Sequence, residues 1–201
     1  DICIMFRTHQ QGKIIKQALE ANEISYVSVN KISLLKEKSI KTVIDYLIIL
    51  YKLEKKENGG EQEWWDLLYQ LNFIDDDLIK VGKFIKDNKD TGNISAVLLS
   101  SLEDLDLSDG GRMIAKILVE RIKSLIPSLN KGVLDIIKDV YTVGGLFNLQ
   151  KNKDEKVAIL NLHRFYELAK EHAAFHAPDF GSFIYYLDIL KSLGIEIEAV
   201  D

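Results

Sequence analysis

The stretch that decides the fold is SIKTVIDYLIILY, residues 39–51. Its apolar residues recur at the three- and four-residue spacing of an amphipathic helix. The same spacing predicts further helices over Trp64–Leu71, Leu78–Ile85, residues 109–126, Val133–Val140 and Asp154–Phe175, and a last helix that starts at Asp179 or Ser182. No strand is predicted after residue 39. The body of the chain is therefore expected to be an α-helical domain.

The first 38 residues show a different pattern. The apolar run Ile2–Phe6 and the alternating run Ile24–Val29 predict two strands, and residues 9–22 predict a helix between them. This order is typical of a βαβ unit. Because two strands do not form an independent sheet, we expect this piece to belong to a larger sheet, with Cys3 buried in its first strand.

Composition excludes several classes of protein. The 201 residues are 47% hydrophobic and carry a net charge of −5, which is ordinary for a globular chain but unlike a nucleic-acid-coating protein. A single cysteine excludes an internal disulfide framework and fits a reducing compartment. No apolar run approaches the roughly 20 residues of a membrane helix, and no signal peptide is expected.

No catalytic or metal centre emerges from the residues. The chain has no Gly-x-x-x-x-Gly-Lys-[Ser/Thr] loop, so it should not hydrolyse ATP alone. His172 and His176 share a helix face but lack the metalloprotease glutamate, and we interpret them as solvated or hydrogen-bonded. We interpret Asp75–Asp77 as a helix start, and the pair Trp64–Trp65 as one core ring and one edge ring rather than a base-stacking platform.

The most informative polar stretch is FRTHQQGK, residues 6–13, which follows the first predicted strand and enters a helix. Open α/β sheets place ligands at the carboxyl ends of their strands, and helix N-termini favour phosphates. Residues 1–56 also carry a net charge of +4, from ten Lys/Arg and six Asp/Glu. Taken alone, the stretch would be interpreted as an ordinary polar turn between a strand and a helix rather than as a ligand site.

A series of segments follows a recognisable order: Phe6–Lys13, Ala18–Glu20, Ser25–Val29, Leu34–Leu35, Ile40–Leu47, Ile159–Ala169 and Phe180–Leu187. Their order and spacing resemble the UvrD/Rep/PcrA family of superfamily 1 DNA helicases. In that family a strand ends in Tyr-Arg-Thr-Asn-x-Gln-Ser-Arg and leads into a helix. A helical domain called 2B is inserted within the RecA-like motor domain called 2A.

The resemblance implies a mainly α fold: a helical 2B-like domain over residues 39–201, preceded by a short βαβ fragment of 2A over residues 1–38. It implies an accessory, regulatory region of an ATP-dependent 3′ to 5′ DNA helicase that acts in repair or recombination and gates the duplex junction. ATP and Mg would bind only in the full-length protein, which would be cytoplasmic and nucleoid-associated. The implied partners are single-stranded DNA, the duplex junction, the remaining motor domains and repair proteins.

The resemblance also assigns contacts to single-stranded DNA. Arg7, Thr8 and Gln11 match the family turn, while His9 replaces its asparagine and Lys13 its arginine. A family turn that touches duplex phosphates corresponds here to Leu71–Asp77, where both glycines are missing and three acids stand. Acids repel phosphate, so the alternative is a helical protein-interaction module of a repair complex without motor activity. A further alternative is an independent small enzyme.

Overall fold

The computed structural model describes residues 3–5, 9–22, 24, 33–57, 60–88, 93–146, 153–176 and 179–200. The chain divides into two compact units, one of residues 1–31 with residue 201 and one of residues 32–200. The described residues are mainly α-helical and contain no β-strand, which confirms the mainly α fold. None of the helices in these ranges is long and apolar enough to cross a membrane.

The smaller unit contains helix α1, His9–Ala21, which confirms the helix predicted over residues 9–22. The first predicted strand is wrong for residues 3–5, which are exposed and have no regular structure. Cys3 is accordingly exposed, not buried. A strand needs neighbouring strands to accept its backbone hydrogen bonds, and the described residues contain none, so the βαβ fragment is not supported. Apart from Ile24, which is exposed, the second predicted strand lies outside the described residues.

The larger unit is built from eight further helices within the described ranges. They are α2 Lys38–Lys55, α3 Glu61–Gln70, α4 Asp75–Asp87, α5 Ile94–Ser100, α6 Asp109–Leu125, α7 Val133–Val143, α8 Lys153–Phe175 and α9 Phe180–Ser192. Single 3₁₀ turns cover Leu34–Lys36, Leu102–Asp104 and Ile126–Asn130. Helix α5 has no counterpart among the predicted helices, because seven residues are too few to establish a helical period.

Helix α2 is the centre of the larger unit. It packs against α3, α7, α8 and α9. Its apolar stripe is buried to 0–1% exposure at Ile40, Val43, Tyr46, Leu47, Ile49 and Leu50. Each such side chain stabilises the fold by about 1.5–3 kcal/mol relative to an exposed one. The stretch that decides the fold is thus also the stretch around which the core assembles.

Short polar residues fix where the helices begin. Ser108 Oγ accepts a hydrogen bond of 3.0 Å from the Gly111 amide, which confirms Ser108 as the cap of α6. Asp179, and not Ser182, starts α9, since its carboxylate accepts from the Ser182 amide at 2.8 Å. Such caps satisfy the otherwise unpaired amides of the first helical turn.

Candidate functional site

The structure places part of the predicted DNA-binding stretch at the start of α1. Gln11 is exposed in the first turn of that helix. His9 and Lys13 belong to the same helix, but their side chains lie outside the described residues, as do Arg7 and Thr8 entirely. The five residues therefore stay a prediction, supported by their position where the chain enters a helix whose amino end favours anions.

The acidic first turn of α4 has a structural function. Asp75 and Asp76 are exposed in the first turn of α4, as a helix start predicts. Asp77 is only 1% exposed, and its carboxylate accepts hydrogen bonds from the amide of Ser108, at 2.9 Å, and from its hydroxyl, at 2.5 Å. Asp77 thus joins α4 to the cap of α6, a tie between distant segments that the local sequence pattern did not reveal.

The paired tryptophans have structural positions. Trp64 is 1% exposed in the core, and Trp65 is partly buried against the core. This confirms the interpretation of one core ring and one edge ring. The burial of Trp64 leaves its ring no exposed face on which a base could stack.

His172, near the end of α8, and His176, directly after that helix, occupy different environments. The rings of His172 and His176 stack with centroids 4.7 Å apart, but His172 is 6% exposed while His176 is exposed. Burial, and then the neighbouring His176, lowers the pKa of His172. Of the two interpretations, exposure to solvent holds for His176 and hydrogen bonding for His172, whose Nε2 lies 3.4 Å from the Ser182 hydroxyl while its ring packs against Phe183 and Tyr186. Within the described ranges, no group of three or more His, Cys, Asp or Glu residues could hold a metal ion.

The larger unit is entered and left at one place. Ser33 and Glu198 form an antiparallel β-bridge, and the Leu34 amide donates to the Ile197 carbonyl at 2.6 Å. Lys36 and Glu196 continue the pairing with an ion pair of 3.4 Å. The segment leading into α2 and the segment following α9 therefore lie side by side in opposite directions.

Asn161, in α8, holds the segment that follows α9 through hydrogen bonds to Val200. It is 0% exposed, and its amide forms two hydrogen bonds with the backbone of Val200: the side-chain nitrogen donates at 3.2 Å and the oxygen accepts at 2.6 Å. These two bonds satisfy both backbone groups of Val200, two residues beyond the β-bridge at Glu198. Asn161 lies within Ile159–Ala169, one of the segments that carry the family resemblance.

A groove of about 560 Å³ lies between α2 and α9, a volume in the range of ligand and peptide sites. Its floor is apolar and its edges carry lysines. The lining residues are Leu35, Lys36, Lys41, Ile44, Asp45, Ile48, Tyr51, Lys52, Ile184, Tyr185, Leu187, Asp188 and Lys191. Sequence reasoning missed this groove because its two sides come from helices that are remote along the chain.

Asp45 is the buried acidic residue of this groove. It is 4% exposed, and Gln70 donates a hydrogen bond of 3.4 Å to it. Burial, with the negative charges of Asp66 and Glu63, raises the pKa of Asp45 to about 7, although Lys41 and Lys191 oppose the shift. A signal was present in the sequence, since Asp45 interrupts the apolar stretch of residues 43–50.

No family model matches the chain, and no curated protein matches it either.

Proposed function

We propose that the larger unit is the helical accessory domain, of the 2B type, of a UvrD-like superfamily 1 DNA helicase. The smaller unit would belong to the motor domain 2A. The accessory domain would act in regulation: by moving against the motor, it would gate the duplex junction during ATP-dependent 3′ to 5′ unwinding in repair or recombination.

The observation that best supports this proposal is the antiparallel β-bridge between Ser33 and Glu198. A domain inserted into a host domain must enter and leave at neighbouring points, or it would distort the host. Here the entering and leaving segments are antiparallel neighbours, tied by the hydrogen bond between Leu34 and Ile197. All eight helices of the larger unit lie between these two points. This is the arrangement that an inserted domain requires.

The proposal assigns ATP and Mg to other parts of the full-length protein. The sequence of this chain contains no Gly-x-x-x-x-Gly-Lys-[Ser/Thr] loop of the kind that binds nucleoside triphosphates. What this chain would supply is contact with DNA and control of the motor. Arg7, Thr8, His9, Gln11 and Lys13 are the residues proposed to touch single-stranded DNA.

A protein-interaction module without motor activity is the second candidate. The exposed Asp75 and Asp76, at the turn where the family touches duplex phosphates, favour this candidate because they would repel DNA. Under this proposal the helical domain is a scaffold for a protein partner. Tailed duplex DNA would then bind weakly and with little dependence on salt.

The test uses the protein encoded by the complete source reading frame. We expect ATP hydrolysis stimulated by single-stranded DNA, and unwinding of a duplex with a 3′ tail but not of one with only a 5′ tail. DNA affinity should fall steeply with salt, by roughly one log unit per log unit of salt for each phosphate neutralised. Absence of both activities, together with a stable complex with a protein partner, would favour the interaction module.

A further inference from the structure

The groove between α2 and α9 has the length that a third, short helix would need to bind there. The two helices run antiparallel, because the ring of Tyr51 near the end of α2 contacts Phe180 at the start of α9, with centroids 6.1 Å apart. The α2 residues that line the groove recur from Lys41 to Lys52, three turns of one helix face, or about 16 Å. That length matches the short amphipathic helices that dock in apolar grooves.

The floor of the groove offers apolar surface to such a helix. Ile44, Ile48 and Ile184 line it and are only half-buried, and the ring of Tyr185 is 67% exposed. Burying this surface would stabilise a complex, since apolar area removed from water is the main favourable term in association. Anchors spaced at i, i+3, i+4 and i+7 would reach this floor from one face of a docked helix.

The charges around the groove select the kind of helix. Four lysines line it, against two acids, and one of those acids, Asp45, is buried. Lys36, Lys41 and Lys52 form ion pairs with Glu196, Asp66 and Glu57. The side chains of Lys36 and Lys41 are exposed and that of Lys52 is partly exposed, and pairs at the surface are weak, so incoming carboxylates can share these lysines at little cost. Among the described residues, Lys191 has no salt-bridge partner.

We propose that the α2–α9 groove binds an acidic amphipathic helix of a partner protein, with apolar anchors on the isoleucine floor and carboxylates beside Lys36 and Lys191. Nucleic acid fits the groove less well, because the apolar floor and the exposed Asp188 would both face the phosphate backbone. The proposal stands on the groove alone. It can therefore fail independently of the helicase proposal, whose test is DNA unwinding.

The experiment measures fluorescence anisotropy of a labelled synthetic peptide, about three to four helical turns long. The peptide carries leucines at i, i+3, i+4 and i+7 and glutamates at the other positions. The control peptide has lysine in place of every glutamate, and a single-stranded oligonucleotide is the nucleic-acid probe. We expect the glutamate peptide to bind this chain and the lysine peptide to bind much more weakly.

Charge reversal on the edges of the groove identifies the site. A variant with both Lys36→Glu and Lys191→Glu should bind the glutamate peptide at least about tenfold more weakly, because like charges then face each other. Lys123→Glu, an exposed lysine of α6 outside the groove, is the matched control and should leave binding unchanged. If the reversed variant does not fold by circular dichroism, Tyr185→Ala tests the same surface without a change of charge.

Three results would overturn the proposal. The first is equal binding of the glutamate and lysine peptides. The second is peptide binding that neither the charge reversal nor Tyr185→Ala weakens, which would place the peptide elsewhere. The third is oligonucleotide binding that the charge reversal abolishes while the peptide does not bind, which would make the groove a nucleic-acid surface.

Discussion

Asp45 makes the stability of the larger unit depend on pH. Its pKa is raised from 3.8 to about 7, so the folded state favours the protonated carboxyl. The stabilisation from Asp45 is complete below pH 3.8 and is lost as the pH rises through about 7. Burial is the main cause of the raised pKa. The charges of Asp66 and Glu63 in α3 raise it further, while Lys41 of α2 and Lys191 of α9 lower it.

Asp45→Asn should therefore flatten the pH profile. The amide imitates the neutral carboxyl, so the variant should match the wild type near pH 4 and exceed it at pH 8 by a few kcal/mol, because each tenfold change in a protonation equilibrium corresponds to about 1.4 kcal/mol. Urea unfolding at a series of pH values measures this. Asp188→Asn removes an exposed acid of the same groove and is the control. Parallel profiles for wild type and Asp45→Asn would show that folding leaves the pKa of Asp45 unchanged and would contradict this prediction.

Asn161 holds the exit segment through two hydrogen bonds to Val200. Asn161→Ala should leave the amide and carbonyl of Val200 without these partners and lower the free energy of unfolding by about 1–3 kcal/mol. It should also speed hydrogen exchange at the Val200 amide. Gln62→Ala, which removes an exposed hydrogen bond to Asp66, is the control and should change stability little. An unchanged hydrogen-exchange rate at the Val200 amide would show that Asn161 does not hold this segment in place.

Arg7 and Lys13 test the proposed DNA contacts. In the full-length protein, alanine at both positions should weaken the affinity for single-stranded DNA and reduce the slope of its salt dependence by about 1.4, since each phosphate contact to a single strand contributes about 0.7. ATP hydrolysis stimulated by single-stranded DNA should fall with it. Lys123→Ala, in α6, is the control. Undiminished ATPase and unwinding would exclude Arg7 and Lys13 from the DNA track.

The contact between α4 and α6 depends on a glycine. A methyl group on Gly111 would lie 2.1 Å from the Asp77 carboxylate oxygen that the Ser108 hydroxyl meets. Asp77 is buried, so it has little room to move. Gly111→Ala should therefore destabilise the larger unit by about 1–3 kcal/mol, the cost of overpacking, offset in part by the better helix propensity of alanine.

The neighbouring glycine provides a matched control. A methyl group on Gly110 would meet its nearest atom, Ser108 Oγ, only at 4.0 Å. Gly110→Ala should be neutral or slightly stabilising, since alanine favours helix formation. Thermal unfolding of both variants measures the difference. Equal melting temperatures for the two variants would mean that Asp77 does not hold the two helices at the described distance.

Local patterns predicted the helices well and the strands poorly. A helix closes its hydrogen bonds within its own segment, so the spacing in residues 39–51 was enough to predict α2. A strand depends on partners that are remote in sequence, and the apolar run around Cys3 gave no information about them. The same limit hid the groove and the tie between Asp77 and Ser108, which both join distant segments. The junction at Ser33 and Glu198 likewise joins segments that are remote along the chain, and it shows that the entering and leaving segments of the larger unit are neighbours.

The most direct test of the proposed function removes residues 34–197, which contain all the described helices of the domain that we propose is inserted in 2A. Residues directly opposite in an antiparallel pair have Cα atoms only about 4.5–5.5 Å apart, so a short Gly-Ser linker can replace residues 34–197 between Ser33 and Glu198 in the full-length protein. The account predicts that the shortened protein folds and keeps ATP hydrolysis stimulated by single-stranded DNA. Its rate of duplex unwinding should change by several fold, because the domain proposed to gate the duplex junction has been removed. A shortened protein without that ATPase, or one that unwinds DNA at the rate of the intact protein, would contradict an inserted regulatory domain.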